Sequence, residues 1–169
     1  RRSSDLGSML QTSCYMVSRQ LVYESGGWKE NLLMNQDGDF FSRILMIASK
    51  AYFISNAKVY YRIGEYSTVS KANSENKLVS LLDSYISYKE NALIHKDNLR
   101  VRKALSYNFT YFIYLYGNKY PALYKKAKDQ VENLGVGFQL RKKSPRIRFV
   151  SKILGFENLM AIRRIISKE

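Results

Sequence analysis

Hydrophobic positions along the chain change their spacing near residue 73. Before that point they form short runs, and the run at 8–17 mixes apolar and β-prone residues in the way that is typical of a buried strand. Residues 51–55 and 57–61 have the same character and predict one bent strand or two short ones. After residue 73 the apolar residues recur at helical spacing. The pattern therefore predicts a mixed α/β first part followed by an antiparallel α-helical appendage, mostly helical overall.

Two helices are predicted within the first part. Ser18 stands where an N-cap would, and Gly26-Gly27 follows as a stop signal, which predicts a short helix between them. A second helix opens at Asp37-Gly38-Asp39 and continues to Ala48. It is apolar over most of its surface, so we expect it to be buried.

The helical appendage is predicted to contain three long helices. The first two carry apolar stripes that begin at Leu78 and Leu99, and the third starts near Pro121 and closes at Leu134-Gly135. The single histidine, His95, lies between the first two helices. That hinge position favours a solvated or capping role over catalysis.

The positive charge is concentrated at the C-terminal end. The 169 residues include 28 Lys and Arg against 14 Asp and Glu, a formal charge of +14, and residues 141–169 hold nine of the basic and two of the acidic residues. These cations are interleaved with apolar residues, a pattern that suits an anionic membrane surface. The alternative is that the apolar face packs on the preceding helices. A nucleic-acid domain more often spreads its charge over the whole module, so nucleic acid is the less favoured partner.

Few residues are suited to chemistry. The sequence has no Cys/His cluster with metal-ligand spacing, no Gly-rich phosphate loop and no serine nucleophile elbow. The single cysteine, Cys14, lies in an apolar run and is expected to be a buried small hydrophobe. What remains is the polar segment 35–39 at the start of the second helix.

Asp37 and Asp39 are the candidate reactive groups in that segment. Two carboxylates at i and i+2 do not face each other as a glycosidase pair would. One could act alone, because a helix N-terminus favours a negative charge and a carboxylate can accept a proton from a bound hydroxyl. The alternative is that Asp37 is an N-cap and Asp39 a first-turn acid that answers the helix dipole.

An ordered set of short motifs resembles the family-2 glycosyltransferases. In that family a Gly-Gly-Trp/Phe-x-Glu loop precedes an acidic pair that opens a helix with a later Arg, and a Tyr-Arg strand end precedes a Ser-rich loop. The matching segments here are Gly26-Gly27-Trp28-Lys29-Glu30, Gln36-Asp37-Gly38-Asp39 with Arg43, Tyr61-Arg62, and Ser67-Thr68-Val69-Ser70. The resemblance implies that residues 1–75 are the acceptor-side half of a GT-A catalytic domain, 76–140 a helical appendage and 141–169 a basic amphipathic tail.

The resemblance also implies a reaction, which is transfer of a sugar from a nucleotide-sugar donor to a hydroxyl of a glycan or lipid-linked acceptor, with inversion. Asp37 takes the position of the general base that deprotonates this hydroxyl. Gln36 replaces the usual acidic neighbour and keeps an acceptor oxygen without the charge. The implied substrate-binding residues are Trp28, Gln36, Asp39, Arg62, Ser67 and Ser70. Trp28 would stack on a sugar, and Arg62 would neutralise the donor pyrophosphate. The two serines would donate hydrogen bonds.

Donor binding is expected from outside this chain. Family members bind the nucleotide and Mg²⁺ or Mn²⁺ through an upstream half that ends in Asp-x-Asp, whereas the one Asp-x-Asp here aligns with the acidic pair. We therefore expect this chain to be a fragment, inactive alone, of an enzyme that is cytoplasmic and peripheral at the inner face of the membrane. The alternative is a non-catalytic basic module for nucleic acid or a membrane surface, with Tyr107, Tyr111 and Tyr114 as stacking residues.

Overall fold

The computed structural model describes residues 12–60, 74–140 and 145–166. They form two compact units, residues 1–84 and 85–169. In chain order the elements are a 3-10 turn at Thr12–Cys14 and the helices α1 (Arg19–Glu24), α2 (Gln36–Ile47), α3 (Glu75–His95), α4 (Leu99–Tyr116), α5 (Pro121–Leu134), α6 (Pro145–Leu154) and α7 (Phe156–Ile166). The first half of α3 belongs to the first unit and its second half to the second.

The prediction of a mixed α/β first part is wrong. The described residues contain no strand and no sheet, so the fold is all-α there and not the mixed α/β GT-A segment that was expected. In the predicted strand 8–17, Thr12–Cys14 is a 3-10 turn and 15–17 are irregular, while 8–11 lie outside the described residues. Residues 51–60 are exposed and irregular, with a turn at 55–56. A run of β-prone residues becomes a strand only beside a neighbour that takes up its backbone hydrogen bonds.

The helix boundaries predicted for the first unit are confirmed. The Ser18 hydroxyl oxygen accepts a hydrogen bond from the Leu21 backbone N–H at 3.3 Å, and α1 ends before Gly26 and Gly27, whose φ angles are 78° and 69°. Glycine suits both positions because a positive φ carries no Cβ penalty there. The helix α2 begins at Gln36, next to the predicted opening.

The core of the first unit surrounds α2, as its apolar sequence predicted. The buried side chains are Phe40, Phe41 and Ile44, and Tyr15, Val17 and Val22 pack against them. The rings of Tyr15 and Phe41 are stacked with their centroids 4.0 Å apart. Cys14, predicted to be buried, is exposed, and it lies in the 3-10 turn, none of whose residues is buried.

A buried ion pair within α2 also contacts the loop that follows α1. The Asp39 side chain is 0% exposed, and its Oδ2 lies 2.9 Å from Nε and 2.8 Å from Nη2 of Arg43. The Nζ of Lys29 lies 3.3 Å from Oδ1. Arg43 also donates hydrogen bonds to the backbone carbonyl oxygens of Ser25 and Gly27. One guanidinium thus holds both a carboxylate on α2 and the backbone of the loop.

The second unit is built on the contact between α4 and α5. Their buried side chains include Leu105, Phe109, Phe112 and Ile113 on α4 and Leu123, Ala127, Val131 and Leu134 on α5. The predicted bounds of α5 are confirmed by Pro121 at its first turn and by Gly135, with φ 66°, directly after it. Gly117 lies where a Cβ would come within 2.6 Å of the Ile113 carbonyl oxygen, so a larger residue would push the turn out of place.

The helix α7 packs within the second unit. Its Phe156, Leu159 and Met160 are buried, and the Phe156 ring stacks on Phe138 with centroids 4.4 Å apart. The Arg163 guanidinium lies 3.8 Å from the Tyr114 ring centroid and donates a hydrogen bond to the Tyr114 carbonyl oxygen at 2.6 Å. The α7 part of the tail therefore packs on the preceding residues of the second unit. Among the described residues, no helix has both the length and the apolar character that crossing a membrane would require.

We predict that Asp39→Asn destabilises the first unit by about 3 kcal/mol, because it leaves the Arg43 guanidinium buried without its counter-charge. Trp28 is the single tryptophan and lies in this unit, so its fluorescence during urea unfolding reports the unit's stability. The control Asp129→Asn, at an exposed position on α5, should change stability by about 0.5 kcal/mol or less. A wild-type unfolding midpoint for Asp39→Asn would contradict the role given to the ion pair.

A second prediction concerns Tyr85, which packs edge-on against Phe109 with ring centroids 6.3 Å apart. Burial raises the pKa of Tyr85 to about 12, and the nearby phenols of Tyr116, Tyr111 and Tyr107 add to the rise. The native state therefore keeps a proton that the unfolded chain, with a pKa near 10.0, has lost. The resulting stability is fully present below pH 10 and falls as the pH rises towards 12.

When the pH is raised from 8 to 11.5, the free energy of unfolding should therefore fall by about 2 kcal/mol less in Tyr85→Phe than in the wild type. Urea unfolding followed by circular dichroism at both pH values measures this difference. Tyr120→Phe, in the turn before α5, is the matched control and should keep the wild-type dependence. If Tyr85→Phe loses as much stability as the wild type over this range, the raised pKa is refuted.

Candidate functional site

An open pocket of about 300 Å³ lies at the N-terminus of α2. It is lined by Thr12, Trp28, Leu33, Met34, Asn35, Gln36 and Asp37. Three of these, Trp28, Gln36 and Asp37, were selected from the sequence as candidate site residues. The structure therefore brings the proposed base and two proposed substrate contacts to the lining of one open surface pocket in the first unit.

The loop that forms one wall of the pocket is held by α3. The backbone N–H groups of Leu33 and Met34 donate to the Ser80 hydroxyl oxygen at 2.7 and 3.3 Å, and the Asn35 side-chain amide donates to the Ser84 hydroxyl oxygen at 2.8 Å. Both serines are buried. Sequence reasoning did not find these contacts, because they join residues nearly 50 positions apart that have no local pattern in common.

Asp37 is half-buried in the first turn of α2, so it is not the N-cap that the alternative interpretation proposed. The N-cap position is occupied by Asn35, which has a left-handed φ of 61°. The Oδ1 atom of Asp37 accepts a hydrogen bond from the Gly38 backbone N–H at 2.8 Å. The helix dipole and the first-turn N–H groups favour a negative charge at this position.

Asp39 lies outside the pocket lining, although it was selected from the sequence together with Asp37. Its carboxylate is occupied by Arg43 and Lys29 in the buried ion pair. The expectation that the two carboxylates do not face each other agrees with this arrangement. The i, i+4 spacing of Asp39 and Arg43 is the sequence signal that could have identified the pair.

Trp28 forms part of the rim of the pocket. Its side chain is 44% exposed, and its ring centroid lies 4.9 Å from that of Phe40 with a tilt of 48° between the planes. The indole therefore has both a core contact and a solvent-facing surface. An aromatic ring placed in this way can present its exposed face to the apolar side of a sugar ring.

The remaining candidates for donor binding, Arg62, Ser67 and Ser70, lie outside the described residues. Within the parts of the chain that the structure describes, no group of three or more His, Cys, Asp or Glu side chains is arranged to hold a metal ion. The expected donor-binding contacts and the expected Mg²⁺ or Mn²⁺ therefore stay predictions.

The tyrosines of the alternative nucleic-acid interpretation lie on α4 in the second unit. The rings of Tyr107 and Tyr111 are stacked on each other, 5.8 Å apart and within 20° of parallel. Tyr114 is buried, with the Arg163 guanidinium over its ring. Since a base needs an accessible ring face, Tyr114 cannot take part in such a stripe in this conformation.

No family model matches the chain, and no curated protein or solved structure is similar enough to it to count as a match. Two observations therefore bear on the function of the chain. One is the geometry at the start of α2, and the other is the order of the motifs between Gly26 and Ser70.

The conformation of Asn35 gives a test of the pocket wall. Asn35→Ala should destabilise the first unit by about 2–3 kcal/mol, because alanine is strained at a positive φ and loses the hydrogen bond to Ser84. Asn35→Gly keeps the backbone conformation and should lose only about 1 kcal/mol. Urea unfolding followed by Trp28 fluorescence measures both, and equal losses would contradict the left-handed conformation.

Proposed function

We propose that this chain is the acceptor-side part of a glycosyltransferase that moves a sugar from a nucleotide-sugar donor to a hydroxyl of a glycan or lipid-linked acceptor, with inversion. The observation that carries the proposal is the placement of Asp37 in an open pocket beside Trp28. Asp39, two residues later, is engaged in the buried ion pair. Of the two carboxylates, Asp37 is thus the one that a substrate can reach.

In the proposed reaction the acceptor hydroxyl lies in the pocket within hydrogen-bond reach of the Asp37 carboxylate. As the hydroxyl oxygen attacks the anomeric carbon of the donor, its proton passes to Asp37 and the bond to the leaving nucleotide breaks. Trp28 orients the acceptor sugar by stacking on it. The side-chain amide of Gln36 can both donate to and accept from a sugar hydroxyl, and no second negative charge adjoins the base.

For the donor, we propose that Arg62 neutralises the pyrophosphate and that Ser67 and Ser70 donate hydrogen bonds to it. The ligands of Mg²⁺ or Mn²⁺, which would stabilise the charge of the leaving nucleotide, are proposed to belong to a donor-binding half outside this chain. We also propose that the enzyme is cytoplasmic and lies at the inner face of the membrane, near lipid-linked acceptors. The motif resemblance supports these points.

The test is Asp37→Asn in the full-length enzyme, with transfer measured as nucleotide release from a panel of nucleotide sugars. Loss of the base should lower turnover by about 10²–10⁴-fold. Donor affinity of the full-length variant, and the urea midpoint that Trp28 reports in the 169-residue chain with the same change, should stay near the wild-type values. Asp37 is neither in the buried ion pair nor in the proposed donor site. Asp129→Asn is the control and should retain full turnover.

Turnover at the wild-type rate in Asp37→Asn would remove Asp37 as the base. Loss of activity together with loss of folding would assign Asp37 a structural role instead. The 169-residue chain alone should release no nucleotide above background, and robust metal-dependent transfer by it would contradict a donor site outside the chain.

A further inference from the structure

The helix α6 presents large apolar side chains to solvent along its length, whereas α7 buries Phe156, Leu159 and Met160 and exposes Ile162 and Ile165 towards its end. Phe149 is 65% exposed and Ile153 is 63% exposed, and they lie one helical turn apart on the same side of α6. Leu154, at the end of the helix, is 44% exposed. Ile147 and Val150 are half-buried. Part of the apolar surface of α6 therefore packs on the protein, and the part that includes Phe149 and Ile153 faces solvent.

Positive charge accompanies this exposed apolar surface. Lys152, next to Ile153 in the sequence, is exposed, and so is Arg164 on α7. Residues 141–169 together carry nine basic and two acidic residues, a net charge of +7 from this segment alone. A surface that combines Phe and Ile with a local excess of cations is complementary to an anionic surface that has an apolar layer beneath it.

This combination distinguishes a lipid surface from other partners. Nucleic acid would match the cations but would leave Phe149 and Ile153 against polar phosphates. An acidic protein groove would need a defined shape, whereas a bilayer accepts any exposed apolar side chain of a helix that lies flat. The ten residues of α6 span about 15 Å, which is too short to cross a bilayer and suits a helix in the interfacial plane.

We propose that α6 is a membrane-surface helix that lies in the plane of an anionic bilayer, with Phe149 and Ile153 among the acyl chains and the flanking cations at the lipid phosphates. Within the basic tail, α6 is thus the helix that we assign to the bilayer. This assignment does not depend on glycosyl transfer, because it follows from exposure and charge in the second unit alone.

The test is co-sedimentation of the full 169-residue chain with vesicles. We expect binding to vesicles that contain phosphatidylserine with phosphatidylcholine, and at least tenfold weaker binding to phosphatidylcholine alone. The double variant Phe149→Ser/Ile153→Ser should bind the anionic vesicles at least about tenfold more weakly than the wild type. Both positions are exposed, so the variant should keep the wild-type melting curve by circular dichroism.

Two matched controls separate the face of α6 from general surface effects. Ile94→Ser/Leu99→Ser removes two side chains that are 81% and 60% exposed near the turn between α3 and α4, and should bind as the wild type does. Lys152→Gln should weaken binding about fivefold, since each cation near the surface contributes about 1 kcal/mol, whereas Lys125→Gln on α5 should not.

Wild-type binding by Phe149→Ser/Ile153→Ser would overturn the proposal, and so would equal binding of the wild type to neutral and anionic vesicles. Light scattering without vesicles adds a third outcome. A dimer that the double variant abolishes would mean that a second copy of the chain covers this face, and would also overturn it.

Discussion

The organisation of the first unit depends on the buried contact between Asp39 and Arg43. A carboxylate removed from water is costly unless it is paired and hydrogen-bonded, and here the guanidinium meets it through both Nε and Nη2. The same guanidinium holds the carbonyl oxygens of Ser25 and Gly27. Because this one charged group binds both α2 and the loop that carries Trp28, it fixes the position of Trp28 relative to the start of α2.

The two carboxylates in the first turn of α2 therefore have different roles. Asp39 points into the unit and stabilises it, whereas Asp37, about 200° further around the helix, lines the open pocket. Gln36 leaves Asp37 without an adjoining negative charge, and Ser80 and Ser84 hold the loop beside it. A single half-buried carboxylate in an aromatic-rimmed pocket fits a general base for a sugar hydroxyl, which is the role that we propose.

The features that could be predicted from the sequence are those set by residues close to one another along the chain. Ser18, Gly26, Pro121 and Gly135 act within one helical turn, and the helix ends that they mark are confirmed. The β-prone runs at 8–17 and 51–61 needed pairing partners, and the described parts of these runs have none. The serine contacts of the pocket loop and the docking of α7 also depend on tertiary neighbours, so residue spacing could not show them. Trp28, Gln36 and Asp37 were grouped through the motif resemblance, and all three do line one pocket, which the short chain length between them permits.

Carboxyl labelling of the native chain distinguishes an accessible Asp37 from a protected Asp39. The native chain would be treated with a water-soluble carbodiimide and glycine amide, and the extent of modification at each aspartate read by tandem mass spectrometry over time. Asp37 should be modified in the folded chain, whereas Asp39 should be protected until urea unfolds the first unit. Modification of Asp39 in the native chain as fast as that of Asp37 would contradict this prediction.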